Sequence, residues 1–118
     1  MSEVEAAWLR LALPQLGNDV RRRRSIVDRY RTAAPHLRWQ TPHPDHAYHL
    51  AVFRSADRTD TRAQLESAGV ASPLHEPLAS PQQPAHPALD HAGCPHAAAW
   101  PGWGIRAPCV PGMSDAED

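Results

Sequence analysis

Proline is the residue that most constrains how this chain can fold. There are 13 prolines among 118 residues, and most of them follow position 72. A proline fixes its own φ, lacks an amide donor, and interrupts helices and central strands. Large core-forming side chains are also few, with one Phe, two Tyr, two Met and four Trp. We therefore expect one partial domain over residues 1–118. Residues 1–79 should be better ordered than the Pro-, Ala- and His-rich residues 80–118.

Two helices are predicted at the N-terminus. Residues 2–5 (SEVE) predict a capping box. In it the Ser2 hydroxyl accepts a hydrogen bond from the Glu5 amide, and the Glu5 carboxylate accepts one from the Ser2 amide. Trp8 lies on the apolar face of this first helix, and we expect it to pack in the core. Pro14 ends or kinks the first helix and suits the first turn of a second one over residues 14–33. The second helix carries an apolar stripe of Leu16, Val20, Val27 and Tyr30.

Strand patterns follow the helices. Residues 41–45 are a loop because of their prolines, and residues 46–54 then alternate between two faces, which predicts the clearest strand of the chain. Residues 59–68 predict a short helix, with Gly69 at the left-handed position that follows it. Residues 70–74 predict a second strand, confined to an edge by its proline.

The positive charges come from one residue type, and the net charge is close to zero. All 12 cationic residues are Arg, no Lys occurs, and the net charge is −1. Residues 21–24 are four consecutive arginines, but on a helix they span about 300° and do not form one patch. We therefore expect no nucleic-acid partner. No run of 18 apolar residues and no signal peptide occur, so no membrane partner and a cytoplasmic location are expected.

Metal binding has weak support in the sequence. His43, His46 and His49 recur every third residue, but the predicted strand points the last two to opposite faces. The segment 91–96 places two His and one Cys in a loop, without the paired spacing that structural zinc sites use. Two cysteines, Cys94 and Cys109, make no disulfide framework. The sequence predicts no metal site, and a His-rich metal-binding protein is the most remote alternative.

Several segments, taken in chain order, resemble the C-terminal domain of the DegT/DnrJ/StrS family of sugar aminotransferases. No single segment is specific, whereas the ordered set spans almost the whole chain. The segments are residues 2–10 (SEVEAAWLR), 22–30 (RRRSIVDRY), 46–50 (HAYHL), 69–70 (GV), 75–77 (HEP), 82–86 (QQPAH) and 108–111 (PCVP).

The resemblance implies a fold, a reaction and a cofactor. It implies an α+β fold, the small C-terminal domain of fold-type-I aminotransferases that use pyridoxal phosphate (PLP). This domain would have two N-terminal helices, a small two- or three-stranded sheet, one packed helix and an irregular Pro-rich tail. The intact family moves an amino group from an amino acid such as glutamate to a keto-sugar nucleotide, in homodimers that share their active sites. His75 is the one residue whose family counterpart faces the sugar substrate.

Departures from the family pattern are informative as well. The Tyr that follows this His in the family is Glu76 here, and residues 101–104 (PGWG) stand where the family has a helix. The PLP-binding domain would lie before Met1 and the final helix after Asp118. Residues 114–117 (SDAE) are a second capping box with no helix behind it. We therefore expect a chain truncated at both ends.

The missing lysine limits the chemistry of the isolated chain. PLP enzymes hold their cofactor as a Schiff base on a Lys amine, and Arg stays protonated and cannot replace it. No catalytic residue is therefore assigned, and no PLP is expected on this chain alone. The first hypothesis is an aminotransferase fragment that is inactive by itself and pairs with a separately encoded large PLP-binding domain or a homodimer partner. The alternative is a non-enzymatic remnant or small interaction domain on the same scaffold.

Overall fold

A computed structural model describes residues 2–74, 77–85 and 93–114. They form a mixed structure of helices and one small antiparallel sheet, as the α+β prediction requires. The elements, in chain order, are α1 (Glu3–Ala12), α2 (Leu16–Ala33), β1 (Arg38–Trp39), β2 (Ala51–Arg54), α3 (Arg58–Ser67), α4 (Pro95–Ala99) and β3 (Gly104–Ala107). Short 3₁₀ turns occupy Leu13–Gln15, Ser80–Gln82 and Trp100–Gly102.

The first helix begins at the predicted capping box. The Ser2 hydroxyl accepts a hydrogen bond from the Glu5 amide at 3.3 Å, and the Ser2 amide donates to the Glu5 carboxylate at 2.6 Å. Pro14 lies in the 3₁₀ turn that separates α1 from α2. The predicted burial of Trp8 is wrong: its side chain is 65% exposed, and α1 contains no buried residue. The reason is that α1 packs mainly on the turn that follows it and reaches no core.

Only the C-terminal half of α2 contributes to the core. Ile26 and Val27 are fully buried, and Tyr30 packs against the same cluster, which also contains Tyr48, Ala51 and Cys109. The predicted stripe is therefore wrong at its first member, because Leu16 is 51% exposed. The sheet lies under the later turns of α2 only, so an apolar residue near the start of the helix has no surface to pack on.

The sheet has the order β1-β2-β3, and both pairings are antiparallel. Phe53 pairs with Trp39 on one side and with Ile105 on the other. Because side chains alternate along a strand, these three residues share the sheet face that packs against α2. The opposite face carries Arg54 and its cross-strand partner Arg38.

The strand predicted over residues 46–54 begins only at Ala51. Tyr48 has a φ of 46°, in the left-handed region, which is incompatible with an extended strand. Its amide donates a 2.9 Å hydrogen bond to His46 Nδ1, and its ring stacks on the His46 ring with a 4.1 Å centroid separation. This local turn stops the strand and delivers the Tyr48 side chain into the core, where it is 3% exposed.

The second predicted strand, over residues 70–74, is also corrected. It is reduced to one bridge between Leu74 and Ile105, at the outer edge of β3. The third strand of the sheet is β3, for which the sequence analysis predicted no element. Its backbone is held by β2 over four residue pairs, and long-range pairing of this kind overrides local propensity.

The third helix agrees with its sequence pattern to within one residue at each end. Asp57 caps α3 by accepting from the Asp60 amide at 2.9 Å. Gly69 has a φ of 78° and closes the helix, with its amide bonded to the Glu66 carbonyl and the Val70 amide bonded to the Leu65 carbonyl. These two bonds define a Schellman motif, which explains why a glycine stands at this position.

Two expectations concern residues that the structure does not describe. Most of the second capping box, residues 114–117, lies outside the described residues, as does His75. The predicted difference in order between residues 1–79 and 80–118 stays a prediction. Within the described ranges, no helix combines the length and apolarity needed to cross a membrane.

Candidate functional site

The residue predicted to face a sugar substrate, His75, lies outside the described residues together with Glu76. Leu74, the residue before it, is bridged to Ile105 of β3. The substrate-binding role of His75 stays a prediction.

The run of arginines at residues 21–24 serves the packing of the chain. Arg22 donates to the Met113 carbonyl at 2.6 Å, and Arg24 Nε donates to the His46 carbonyl at 3.0 Å. Arg23 Nε is buried and has no hydrogen-bond partner. Arg22 and Arg24 therefore bind two different backbone segments. This arrangement agrees with the expected wide angular spread, and it gives the run a structural use.

The histidines do not converge on a metal-binding geometry in the described part of the chain. No group of three or more His, Cys, Asp or Glu side chains that could hold a metal ion occurs among the described residues. The Nδ1 atoms of His43 and His46 each accept a backbone amide hydrogen bond, from Asp45 and Tyr48 respectively. His91, one member of the predicted loop cluster, lies outside the described residues.

Large apolar side chains are exposed along α1 and the turn into α2. We call this region the α1 surface and define it by Val4, Trp8, Leu11, Leu13 and Leu16. These side chains are between 51% and 79% exposed. Val4, Trp8 and Leu11 recur at helical spacing, so they share one face of α1. A clustered apolar surface of this kind on a polar chain is typical of a protein–protein interface.

An apolar cleft of about 420 Å³ opens between α2, the sheet and α3. The polar tips of its aromatic walls are used internally: the Tyr30 hydroxyl donates to the Pro108 carbonyl at 2.9 Å, and Trp39 Nε1 donates to the Ala34 carbonyl at 3.1 Å. The remaining lining is apolar and includes Phe53, Leu65 and Val70. The cleft therefore suits an apolar group and offers no reactive side chain.

Sequence reasoning missed a cluster of one arginine and two tryptophans. The guanidinium carbon of Arg54 lies 5.1 Å from the Trp100 ring centroid and 5.2 Å from the Trp103 centroid. Trp103 is 40% exposed, whereas Trp100 is half-buried. The contact joins residues some 50 positions apart through the pairing of β2 and β3, so no local pattern could have indicated it.

The residues of this chain do not fit PLP as a covalently held cofactor. No lysine occurs in the sequence, and the basic groups that line a concavity of about 820 Å³ along α2 are arginines. A guanidinium can pair with a phosphate, but it cannot form the Schiff base that the cofactor needs. No reaction step through PLP is therefore derived for this chain.

Comparisons with solved structures show the same fold in known aminotransferases. The DesV structure from S. venezuelae, in complex with a ketimine intermediate, superposes with a TM-score of 0.92 at 22% identity over 99% of this chain. A DegT DnrJ EryC1 StrS aminotransferase from Brucella abortus gives 0.80 at 23% identity over 89%. Spr1654 from Streptococcus pneumoniae, described as a sugar aminotransferase in its PMP form, gives 0.79 at 24% identity over 91%.

This chain spans about a third of the length of those structures, from 30% to 33%. At these identities the likeness establishes the fold, and the activities belong to the neighbours. No curated protein matches the chain. The sequence model of the DegT/DnrJ/EryC1/StrS aminotransferase family matches residues 1–118, which is the whole chain. The chain therefore belongs to the DegT/DnrJ/EryC1/StrS aminotransferase family.

Proposed function

We propose that this chain is the C-terminal region of a PLP-dependent aminotransferase that acts on a keto-sugar nucleotide, and that it works by packing against a large, lysine-bearing domain. Family membership over residues 1–118 supports the aminotransferase origin. The chain corresponds to one third of the DesV structure, and the other two thirds of such an enzyme are available to supply the lysine.

The observation that carries this proposal is the exposed α1 surface. Trp8 is 65% exposed, so a partner can bury about 160 Å² of its ring, given that a Trp side chain buries at most about 250 Å². At about 25 cal/mol per Å², this area corresponds to about 4 kcal/mol before the costs of association. A helix with this much uncovered apolar surface and no core of its own is what remains when its packing partner is a separate domain.

Chemistry assigns the remaining roles to the partner. The large domain supplies the amine that holds PLP, and when bound the cofactor supplies the electron sink for amino-group transfer. This chain supplies the sheet and helices that pack against the large domain. His75, through the resemblance of its segment to the family pattern, is the residue proposed to contact the sugar. A second copy of the assembly is proposed to complete the active site, as in the homodimers of the family.

The test is reconstitution. The DNA upstream of this reading frame is sequenced, and the lysine-bearing polypeptide that it encodes is co-expressed with the full 118-residue chain. We expect the two to copurify, and the visible absorbance of bound PLP and amino transfer to a keto-sugar nucleotide to require both. Trp8→Ser should weaken the complex by about 30-fold, because truncation of a central aromatic anchor costs about 2 kcal/mol.

Arg10→Ser provides the matched control, since Arg10 is an exposed residue of α1 that lies off the Val4, Trp8 and Leu11 face. This variant should bind within a factor of about two of the wild type. Equal binding by the Trp8 and Arg10 variants would remove α1 from the interface. Absence of any lysine-bearing domain upstream would favour the alternative of a non-enzymatic interaction domain.

A further inference from the structure

Three arginines share the sheet face that points away from α2. Arg38 and Arg54 are direct cross-strand partners in β1 and β2, and Arg106 of β3 pairs with Val52, two residues before Arg54. Residues two apart on a strand point to the same side, so Arg106 joins the other two. We call these three residues the arginine face. Like charges placed directly opposite each other destabilise a sheet, so an anion bound to both arginines would stabilise this arrangement.

No compensating carboxylate is found in the described part of the chain. The ion pairs there join His43 to Asp45 and Arg62 to Glu66, and neither involves the arginine face. Arg106 Nε is buried without a hydrogen-bond partner. A buried guanidinium nitrogen without an acceptor is costly. Arg106 adds positive charge to this face but lines neither of the two cavities that flank Arg38 and Arg54.

Arg54 makes cation–π contacts with two tryptophans. Its guanidinium carbon lies over the rings of Trp100 and Trp103, at 5.1 and 5.2 Å from their centroids. The Trp100 ring approaches so closely because Gly104 lies beneath it: a Cβ at that position would be 2.8 Å from Trp100 Nε1. Cation–π contacts use the face of a guanidinium charge and not its N–H donors, so Arg54 can still donate hydrogen bonds to an acceptor.

Two cavities flank the pair of arginines, and the larger of the two reaches small-molecule size. Arg38 and Arg54 line both of them. One, of about 360 Å³, includes Trp100 and Thr41 in its lining, and the other, of about 230 Å³, includes Trp103. Pockets for small ligands begin at about 300 Å³. Concave sites of this size favour a compact anion over an extended acidic peptide.

We propose that the arginine face binds the phosphate group of a small phosphorylated ligand, with Arg38 and Arg54 as its two charged donors. A phosphate monoester carries nearly two negative charges at neutral pH and accepts bidentate hydrogen bonds from guanidinium groups. It therefore matches the charge and the geometry of two arginines better than a single carboxylate does. This proposal is independent of the pairing with a large domain.

The test is calorimetric titration of the full chain with inorganic pyrophosphate at low and physiological salt, together with thermal melts. We expect binding that Arg38→Gln and Arg54→Gln each weaken by about tenfold or more, because each removes a charge-assisted hydrogen bond. Arg10→Gln removes the same charge from an exposed site on α1, and it should change binding by less than twofold.

Arg38→Glu separates a ligand site from a structural role. Arg38 is exposed, so the substitution is compatible with folding, and it places a carboxylate opposite Arg54. The variant should melt at a higher temperature than the wild type without ligand, and pyrophosphate should no longer raise its melting temperature. The proposal is overturned by equal losses in the Arg10 and Arg38 variants, by no binding, or by tighter binding of a poly-glutamate peptide than of pyrophosphate.

Discussion

Replacement of Gly104 by alanine tests the packing between β3 and the 3₁₀ turn at Trp100–Gly102. The added Cβ would lie 2.8 Å from Trp100 Nε1, 2.9 Å from Cε2 and 3.2 Å from Cζ2. Real Cβ contacts are essentially never this short, so the indole must move. The ring is rigid, and its turn is anchored by the buried Pro101. A small local adjustment therefore cannot relieve the clash.

The expected cost is about 1 to 3 kcal/mol, the usual range for overpacking a tight site. Loss of the Trp100 contact with Arg54 adds about 0.5 to 1 kcal/mol. Alanine also lowers the conformational entropy of the unfolded chain, which stabilises the folded protein by a similar amount. These two smaller effects therefore roughly cancel. With a urea m-value of about 2 kcal/mol per M, a loss of 2 kcal/mol lowers the unfolding midpoint by about 1 M.

Urea unfolding followed by tryptophan fluorescence and far-UV circular dichroism measures this loss. Gly102→Ala is the matched control, because a Cβ there meets nothing within 4 Å, and its midpoint should stay within about 0.5 M of the wild type. The Gly104 substitution should cost little in a Trp100→Ala background, which gives a coupling energy of at least about 1 kcal/mol. Additive losses in the double variant would refute the clash as the cause.

Two further predictions concern the α3 terminus and the cysteines. Gly69→Ala should cost about 1 kcal/mol in urea unfolding because Gly69 has a φ of 78°, whereas Gly112→Ala, at a site with open space, should be close to neutral. Cys94 is exposed and Cys109 is buried, so a thiol reagent should label one cysteine per folded chain and both in urea. Rapid labelling of two thiols in the folded chain, or a neutral Gly69→Ala, would contradict the structure.

The local signals of the sequence predicted the helices well. The Ser2 and Glu5 capping box and the Gly69 terminus are formed by residues within a few positions of each other. The capping box appears with its predicted bonds, and Gly69 with its predicted left-handed backbone. Family membership was also readable from ordered segments along the chain and holds over residues 1–118. The absence of lysine, a property of composition alone, excludes a Schiff base on this chain.

The strands and the sites depended on contacts between distant segments. The alternation of residues 46–54 predicted a long strand, but the turn at Tyr48 shortens it to four residues. Trp8 has an apolar helix face around it and still lies exposed, because helical periodicity says which residues share a face and does not say what covers that face.

The pairing of β2 with β3 is the clearest example of a contact that local sequence patterns do not predict. It brings Arg54 close to Trp100 and Trp103, and the pairing of β1 with β2 sets Arg38 opposite Arg54. No local sequence pattern indicates either relation. Capping and helix termination are short-range effects, and the residues themselves determined them. The arginine face and the exposed α1 surface arise from tertiary packing, because burial and cross-strand charge contacts exist only once remote parts of the chain have met.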